Sequence, residues 1–291
     1  MSVWKSSGES TPGARKVTVP ALLEKKRMGH KISAVTAYDV CSARLADAAG
    51  LDVVLVGDSL AMVMLGYENT LPVTMDEMVM LTSAVRRGLT RSLMVADMPF
   101  GSYASESEGV ANAIRFVKQA GAEAVKLEGG RDRASLIHRL VEAEIPVMGH
   151  LGLTPQSIHR MGGYKVQAKT GEGIDRLREE AHLLAGAGCF SIVLEGIPRE
   201  VAAEITSELP IPTIGIGAGP DCDGQILVWH DLLGLTPEPA KFVRRFAEAG
   251  ALIGDALAQY RAAVEDGSFP DDRESYHLAR NAAPAAVASR G

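Results

Sequence analysis

Length, composition and charge exclude several classes of protein. The 291 residues are 46% hydrophobic and 23% charged with a net charge of −6, a globular composition that disfavours a general nucleic-acid or anionic-membrane surface. No apolar run approaches the roughly 18 residues of a membrane helix, and the three cysteines show no metal-ligand or CxxC spacing, so we expect a cytoplasmic protein with reduced thiols.

We predict three segments: a flexible leader at residues 1–17, one catalytic domain at residues 18–278, and a flexible tail at residues 279–291. The leader lacks the hydrophobic core of a signal peptide, and the tail is biased towards small residues. Between them, eight short and nearly continuous apolar runs recur, as expected for strands buried on both faces of a parallel sheet. The runs begin at Ile32, Val53, Leu93, Ala124, Pro146, Ser191, Pro212 and Gln225.

Helical patterns separate most of these runs. Apolar residues at helical spacing predict helices over residues 76–87, 106–120, 134–143, 173–187 and 198–208. Eight strands that alternate with helices indicate a (β/α)8 TIM barrel of the α/β class, in a single domain. Residues 219–224 leave room for only a vestigial helix before the last strand, and residues 240–264 predict one long or broken helix after it. The long segments after strands two and five are expected to lie over the barrel mouth.

Carboxylates fall at the C-terminal ends of six predicted strands. In a barrel those ends form one rim, and active sites are built there. A single acid can instead cap the next helix, and this alternative stays open for Asp39 and Asp231. Capping does not readily explain the whole set, which is Asp39, Asp58, Asp97, Glu128, Glu195 and Asp231.

Three of these acids come from the consecutive strands two, three and four. Because neighbouring strands lie about 4.8 Å apart, Asp58, Asp97 and Glu128 can converge on one point. Like charges that close raise one another's pKa unless a cation neutralises them. Oxygen ligands without histidine or cysteine favour Mg²⁺ or Mn²⁺ over zinc. The spacing therefore predicts a divalent-cation site, with a proton-sharing or lysine-paired polar layer as the alternative.

Three further side chains on the rim carry candidate chemistry. Lys126 shares a strand face with Glu128, where it can meet a substrate carboxylate or enolate oxygen, or only form a salt bridge. His150 ends strand five and can bind a ligand or transfer a proton, or serve a structural role. Glu195 lies on strand six, away from the other acids, where a carboxylate is well placed to act as a base. Its alternative is an acid that caps a helix or pairs with lysine.

Longer motifs surround these residues. They are TAYD (36–39), VGDSLAMVMLGYENTLPVT (56–74), ADMPF (96–100), VKLEGG (125–130), GHLGLTPQS (149–157), GGYKVQ (162–167), IGIGAG (214–219) and DGQILVWHDLLG (223–234). Together they resemble the ketopantoate hydroxymethyltransferase family over about residues 18–277. One departure is Ala168-Lys169, where the family usually has Gly-Arg. The IGIGAG loop alone indicates either phosphate binding or close backbone packing.

The resemblance implies a reaction and an assembly. The family transfers a one-carbon unit from 5,10-methylenetetrahydrofolate to 3-methyl-2-oxobutanoate, a 2-oxo acid, through a metal-stabilised enolate. The product is 2-dehydropantoate (ketopantoate), and the reaction opens pantothenate and coenzyme A biosynthesis. The family also forms cytoplasmic homo-oligomers, commonly decamers, and the resemblance implies no nucleic-acid or membrane partner.

The resemblance also assigns roles to individual residues. Asp58, Asp97 and Glu128 match the site of one Mg²⁺ per subunit, and Glu195 matches the proposed catalytic base. The substrate contacts that it implies are Ser59, Asp97, Lys126 and His150.

Two other functions stay open. A metal-dependent barrel enzyme of the phosphoenolpyruvate mutase/isocitrate lyase type also enolises 2-oxo acids, but it typically carries a reactive cysteine in a mouth loop. A catalytically silent barrel scaffold should have lost some of the rim acids or the lysine, and here all of them are present.

Overall fold

Eight parallel strands, hydrogen-bonded in chain order and closed by pairing of the last with the first, form the centre of the protein. The computed structural model describes residues 15–278 and confirms the predicted (β/α)8 barrel. The strands are β1 (Ile32–Thr36), β2 (Val53–Val56), β3 (Leu93–Asp97), β4 (Ala124–Glu128), β5 (Val147–Gly152), β6 (Ser191–Glu195), β7 (Thr213–Ile216) and β8 (Gly224–Leu227).

Helices surround this barrel, and all five helices predicted from apolar spacing are present. In the described residues the α-helices are α1 (Val19–Arg27), α2 (Val40–Ala48), α3 (Leu60–Val63), α4 (Met75–Arg86), α5 (Glu106–Arg115), α6 (Ala134–Glu142), α7 (Ile158–Met161), α8 (Gly171–Gly186), α9 (Arg199–Glu208), α10 (Trp229–Leu232) and α11 (Ala249–Glu265). A π-helical turn at Phe116–Ala120 continues α5, so the predicted length of that segment is right. The chain between β7 and β8 contains no helix.

Two nine-residue helices, α1 and α2, were not predicted from the sequence, and neither were the four-residue helices α3, α7 and α10. The buried face of α2 consists of Ser42, Ala43 and Ala46, which are too small or too polar to produce a clear apolar period. The prediction of a helix over residues 240–264 is correct only from Ala249 onwards. The preceding segment folds back instead, because the Phe246 N–H donates to the Leu232 carbonyl at 2.8 Å.

Alternate residues of each strand face the barrel interior or the surrounding helices. In β4, Ala124 packs among apolar interior side chains, whereas Val125 and Leu127 pack against the helices. Because side chains alternate along a strand, Lys126 and Glu128 continue the interior face above Ala124. The barrel interior is therefore apolar towards the N-terminal ends of the strands and charged at their C-terminal ends.

The N-terminal end of the barrel is closed by α1. Leu22 packs into the barrel interior. The ammonium groups of Lys25 and Lys26 lie 2.6 and 2.7 Å from the carboxylates of Asp52 and Asp223, which immediately precede β2 and β8. These contacts fix α1 across the bottom of the barrel.

The predicted flexible ends lie almost wholly outside the described residues. The predicted leader extends to residue 17, yet Lys16 pairs with Glu123 at 2.6 Å and the Val17 N–H donates to the Arg91 carbonyl at 2.8 Å. Contacts with the barrel thus begin two residues before the predicted boundary. Among residues 15–278, none of the helices combines the length and apolar character that a membrane span requires.

The segments after β2 and β5 meet over the C-terminal end of the barrel, where the Tyr164 hydroxyl lies 3.6 Å from Met62 Sδ. The glycine loop after β7 is held by close packing. A Cβ at Gly217 would lie 2.7 Å from the Phe242 ring, and the φ of Gly217 is +61°. This geometry favours the packing interpretation of IGIGAG over phosphate binding.

Candidate active site

The rim acids have different roles. Asp39 is the N-cap of α2, where its carboxylate accepts a hydrogen bond from the Ser42 N–H at 2.7 Å, so the capping interpretation is confirmed there. Asp231 is half-buried within α10, whose N-cap is Val228. The remaining acids gather around one buried cluster at the strand ends: Asp58, Asp97, Glu128 and Glu195.

Strand register places the charged neighbours of this cluster side by side. Asp97 is paired in register with Lys126, and Glu128 with His150. The Lys126 ammonium donates to both carboxylate oxygens of Asp97 at 2.8 and 2.7 Å and lies 3.9 Å from Glu128 Oε1. The salt bridge considered as an alternative role for Lys126 is therefore present, and it is buried.

His150 connects the cluster to Glu195. Its Nδ1 lies 3.3 Å from Glu128 Oε1, and its Nε2 lies 3.2 Å from Glu195 Oε2. These are ion-pair contacts, since neither ring nitrogen has an aligned hydrogen-bond partner among the described residues. The side chain of Glu195 is 16% exposed, against 2% for His150. Glu195 thus lies nearer the mouth, joined to the other acids through one imidazole.

Asp58 and Ser59 approach the cluster from the end of β2. The Asp58 N–H donates to Asp97 Oδ2 at 3.2 Å, and Asp58 Oδ2 accepts from Gln156 Nε2 at 2.9 Å. Ser59 Oγ lies 2.9 Å from the Tyr38 hydroxyl. The structure therefore brings every sequence-predicted site residue to the same end of the barrel.

Gln156 and Tyr103 complete the cluster, and no sequence pattern assigned either of them a role. The Gln156 N–H donates to Glu128 Oε2 at 3.0 Å, and the Tyr103 hydroxyl donates to Gln156 Oε1. Burial, followed by the charge of Glu128, raises the pKa of Tyr103 well above its ordinary value. One signal was available, because Gln156 lies within the motif GHLGLTPQS, but an uncharged residue in a loop has no periodic pattern that reveals its partner.

The cluster is short of positive charge. Within residues 15–278, four carboxyl groups face two cationic groups, Lys126 and His150, so the fully ionised cluster carries two uncompensated negative charges. Burial, followed by the charges of Asp97 and Glu128, raises the pKa of Asp58 well above its ordinary value. Burial also raises the pKa of Asp97, although Lys126 opposes this effect.

Both cationic groups retain their protons. Burial lowers the pKa of Lys126, but the charges of Asp97 and Glu128 outweigh it, and the pKa is raised. Burial and the charge of Lys126 lower the pKa of His150, but its contacts with Glu128 and Glu195 outweigh both and raise it to about 9. The raised pKa favours the imidazolium form of His150 at neutral pH.

The donor set suits a divalent cation, although it is not arranged as a finished metal cage. Within the part of the chain that the structure describes, no three histidine, cysteine, aspartate or glutamate side chains are placed to hold a metal ion. One reason is that Lys126 engages both oxygens of Asp97. Glu128 Oε1 is nevertheless buried without a hydrogen-bond partner among these residues. Carboxylate oxygens are the ligands that Mg²⁺ prefers, so the residues fit this ion, and the three-carboxylate site stays a prediction.

A cleft of about 700 Å³ opens beside the cluster. Glu128 and Gln156 form part of its wall, and the half-exposed ring of Phe100 contributes apolar surface. Its lining also includes four arginines: Arg131, Arg133, Arg160 and Arg176.

Comparison with known proteins identifies relatives over nearly the whole chain. A family model described as ketopantoate hydroxymethyltransferase matches residues 16–272. The 3-methyl-2-oxobutanoate hydroxymethyltransferase of Koribacter versatilis is 60% identical over 269 residues, which cover 92% of this chain and 91% of the relative. The protein of the same name from Carboxydothermus hydrogenoformans is 53% identical over 266 residues, which cover 91% and 96% of the two chains.

The same barrel occurs in proteins of much lower identity. The crystal structure of 2,3-dimethylmalate lyase, a PEP mutase/isocitrate lyase superfamily member, aligns with a TM-score of 0.53 at 20% identity and covers 91% of each chain. At that identity the likeness concerns the fold alone. By contrast, the family model matches most of the chain, and the two relatives are 60% and 53% identical to it. These matches show that the chain belongs to the ketopantoate hydroxymethyltransferase family of transferases.

Proposed function

We propose that the protein transfers a hydroxymethyl group from 5,10-methylenetetrahydrofolate to 3-methyl-2-oxobutanoate to form 2-dehydropantoate, the first step of pantothenate and coenzyme A biosynthesis. The names of the relatives supply the acceptor and the transferred group. The structural observation that carries the proposal is the buried line Glu128–His150–Glu195, which joins the acid cluster to a partly exposed carboxylate. This arrangement provides a cation-binding group, Glu128, and a proton acceptor, Glu195, in one site.

Asp58, Asp97 and Glu128 would hold one Mg²⁺ per subunit. Their oxygen donors and the two uncompensated negative charges of the cluster support this assignment. A bound Mg²⁺ would polarise the 2-oxo group and so acidify the C3–H bond of the substrate.

Glu195 removes the C3 proton of the substrate. It is the acid of the cluster nearest the mouth, and His150 holds its carboxylate at 3.2 Å. Because the pKa of His150 is raised to about 9, this imidazole is protonated at neutral pH and does not compete as the base. The resulting carbanion forms the new C–C bond with the methylene carbon of the cosubstrate. The two C–N bonds that held this carbon break, so tetrahydrofolate leaves with both nitrogens protonated, one proton coming from Glu195 and one from the water that supplies the hydroxyl oxygen.

Lys126 and Ser59 bind and orient the 2-oxo acid. The Lys126 ammonium is buried beside Asp97 and balances negative charge that develops on the substrate oxygen. The Ser59 hydroxyl, held at 2.9 Å from the Tyr38 hydroxyl, donates to the substrate carboxylate. Asp97 and His150 are the further substrate contacts that the family resemblance implies.

The folate cosubstrate occupies the cleft beside Glu128 and Gln156. A volume of about 700 Å³ suits a ligand much larger than a five-carbon acid. The exposed ring of Phe100 offers a surface on which an aromatic ring stacks. Arg133 and Arg160 complement the carboxylates of the glutamate portion of folate, whereas Arg131 and Arg176 pair with Glu179 and Glu180.

A solvent-exchange experiment tests the two halves of the reaction separately. Proton removal does not need the folate, so the protein with Mg²⁺ in D₂O should exchange the C3 hydrogen of 3-methyl-2-oxobutanoate, observed by proton NMR. Adding 5,10-methylenetetrahydrofolate should then yield 2-dehydropantoate. EDTA should stop both steps, and Mg²⁺ should restore them. Full turnover of metal-free protein would contradict the cation site.

The same experiment distinguishes the alternatives. Exchange without transfer would favour a metal-dependent lyase or mutase, and neither exchange nor transfer would favour a silent barrel. The cysteines argue against the first alternative, since Cys41 lies in α2 while Cys189 and Cys222 are buried just before β6 and β8. None of the three lies in a loop over the mouth.

We also propose that copies of this chain associate in the cytoplasm, as decamers if they follow the family. The free cysteines suit a reducing compartment. No residue of α11 is buried, and its exposed apolar side chains match the buried face of a self-association interface: Leu252, Ile253, Leu257, Tyr260 and Val264. Light scattering on the purified protein should give a mass several times that of one chain. The mass of a single chain would contradict the proposal.

A further inference from the structure

We propose that Gln156 is a positioning residue that holds the acid cluster in register, by tying the ends of β2, β3 and β4 together from the loop after β5. The identity of the bound cation rests on the proposed function, whereas the contacts of Gln156 do not.

Three strand ends meet at this one residue. Gln156 Nε2 donates to Asp58 Oδ2 at 2.9 Å and to the Met98 carbonyl at 3.0 Å. Its main-chain N–H donates to Glu128 Oε2 at 3.0 Å. The residue is 6% exposed, so water does not compete readily for these donors. Asp58 and Glu128, which come from strands two positions apart, are thereby fixed relative to each other.

The orientation of the amide is determined by its partners. The Met98 carbonyl can only accept, so the amide nitrogen must face it, and the amide oxygen must face Tyr103. The Tyr103 hydroxyl donates its proton to this oxygen, and its own oxygen accepts from the Glu128 N–H at 3.4 Å. The hydrogen bonds therefore form a closed path from the Glu128 N–H through Tyr103 and Gln156 to the Glu128 carboxylate, and each donor in it faces an acceptor.

Local sequence explains why the main-chain donor is available. Pro155 begins the short 3₁₀ helix Pro155–Ser157 after Thr154, and proline is suited to that first position. The N–H groups at the start of a helix have no partner within it. The N–H of Gln156 is one of these, and Glu128 accepts from it.

This arrangement fixes the acids before a cation binds. Asp58 and Glu128 are acids that Gln156 holds at 2.9 and 3.0 Å through its side-chain and main-chain donors, and without the side-chain amide the Asp58 carboxylate can move away from Glu128. Outer partners that orient metal ligands typically change metal affinity by about 10- to 100-fold when they are removed. Gln156 occupies this kind of position for two acids at once.

Calorimetric titration of the substrate-free protein with Mg²⁺ tests the proposal. Gln156→Met keeps the length of the side chain and the main-chain N–H but loses the amide contacts, so the dissociation constant should rise by about 10- to 100-fold. Saturating Mg²⁺ should also reduce any loss of C3–H exchange in Gln156→Met, because exchange does not need the folate. The matched control is Gln225→Met, because the exposed Gln225 amide donates to the Gly219 carbonyl at 2.9 Å, outside the acid cluster. Equal Mg²⁺ affinity in Gln156→Met and wild type would overturn the proposal.

A second measurement is independent of metal. Urea unfolding of Gln156→Met, Asp58→Ala and the double variant should show non-additive shifts of the midpoint, because each substitution removes the hydrogen bond that the two side chains share. If wild type binds no Mg²⁺ but the shifts are non-additive, the cation assignment fails while the positioning role stands. Additive shifts would overturn the positioning role itself. If Gln156→Met does not fold, Tyr103→Phe keeps the ring packing and should weaken Mg²⁺ binding several-fold, and unchanged binding would overturn the proposal.

Discussion

The two ends of the barrel use buried and half-buried acids in opposite ways. At the N-terminal end each acid has matched donors: Asp52 accepts from the Ser33 N–H at 2.9 Å and from Lys25 at 2.6 Å. At the C-terminal end, four acids share two cationic groups. Both ends contain several acids, and the difference lies in the number of hydrogen-bond donors and cations that each acid has around it.

The pKa values of two aspartates express this difference. Burial raises the pKa of Asp47, but hydrogen bonds from Thr90, Ser92 and Arg91 outweigh it and lower the value to about 2. At the mouth, burial and the neighbouring charges raise the pKa of Asp58. Acids with enough donors around them stabilise the fold. Acids without enough donors repel one another, and a bound cation or substrate can relieve that repulsion. The comparison predicts separable effects of mutations at the two ends.

The largest effect is expected from the same substitution made at both ends. Glu195→Gln keeps the shape of the side chain but cannot accept the proton, so C3 exchange in D₂O should fall by about 100- to 10,000-fold with little change in melting temperature. Glu123→Gln at the N-terminal end should behave in the opposite way. It weakens the contact with Lys16, so stability should decrease while exchange stays at the wild-type rate.

His150→Asn is the control for this assignment. If Glu195→Gln exchanges at the wild-type rate while His150→Asn does not, the base is His150. If both variants exchange normally, the base is a group outside this pair. The catalytic role assigned to Glu195 at the C-terminal end of the barrel would then be wrong.

The next effect concerns the buried lysine. Lys126→Met removes the cation whose charge acts on Asp58, Asp97 and Glu128, so it should cost about 3–5 kcal/mol of unfolding free energy and lower turnover by roughly 100-fold or more. Lys25→Met at the other end should cost about 1 kcal/mol or less, because Lys25 is one-third exposed and Asp52 keeps its contacts with Ser33 and Arg91. Urea unfolding measures both values. Equal losses would show that the two ends do not differ in burial of charge.

A smaller effect depends on pH. The folded-state pKa of Asp47 is lowered from 3.8 to about 2, so its carboxylate stabilises the fold above the unfolded-state value. This contribution is lost as the pH falls through about 2. Asp47→Asn weakens the hydrogen bonds that Asp47 accepts from Thr90, Arg91 and Ser92, so it should cost roughly 1 kcal/mol at pH 7, and the difference from wild type should shrink between pH 4 and about 2. A difference that is constant over this range would mean that the charge of Asp47 does not matter.

The smallest effect is expected from two residues with left-handed backbones. Ala168 in the mouth segment has a φ of +50°, and Glu144 before β5 has a φ of +62°. Replacing either by glycine should add about 0.5 kcal/mol or less of stability, since relief of about 1–2 kcal/mol of strain is offset by the entropy of the unfolded chain. Only Ala168→Gly, which restores the residue usual in the family, should also change turnover. A change of turnover in Glu144→Gly would contradict the separation of the two ends.

The sequence by itself determined the barrel and the location of its chemistry. Strands buried on both faces require continuous apolar runs, so all eight strands were readable, and the acids that end them fell on one rim. Residues two positions apart share a strand face, which placed Lys126 beside Glu128. These features depend on residues that are close in the sequence, and strands and helices repeat them at a regular spacing.

Only the tertiary structure decided which groups meet. His150 joins Glu128 to Glu195, and Gln156 binds three strand ends, because strands far apart in the chain lie in register. The irregular segment before α11 has the same cause, because contacts with Leu232 replace helical hydrogen bonds there. Such contacts join residues separated by tens of positions, and no period along the sequence encodes them.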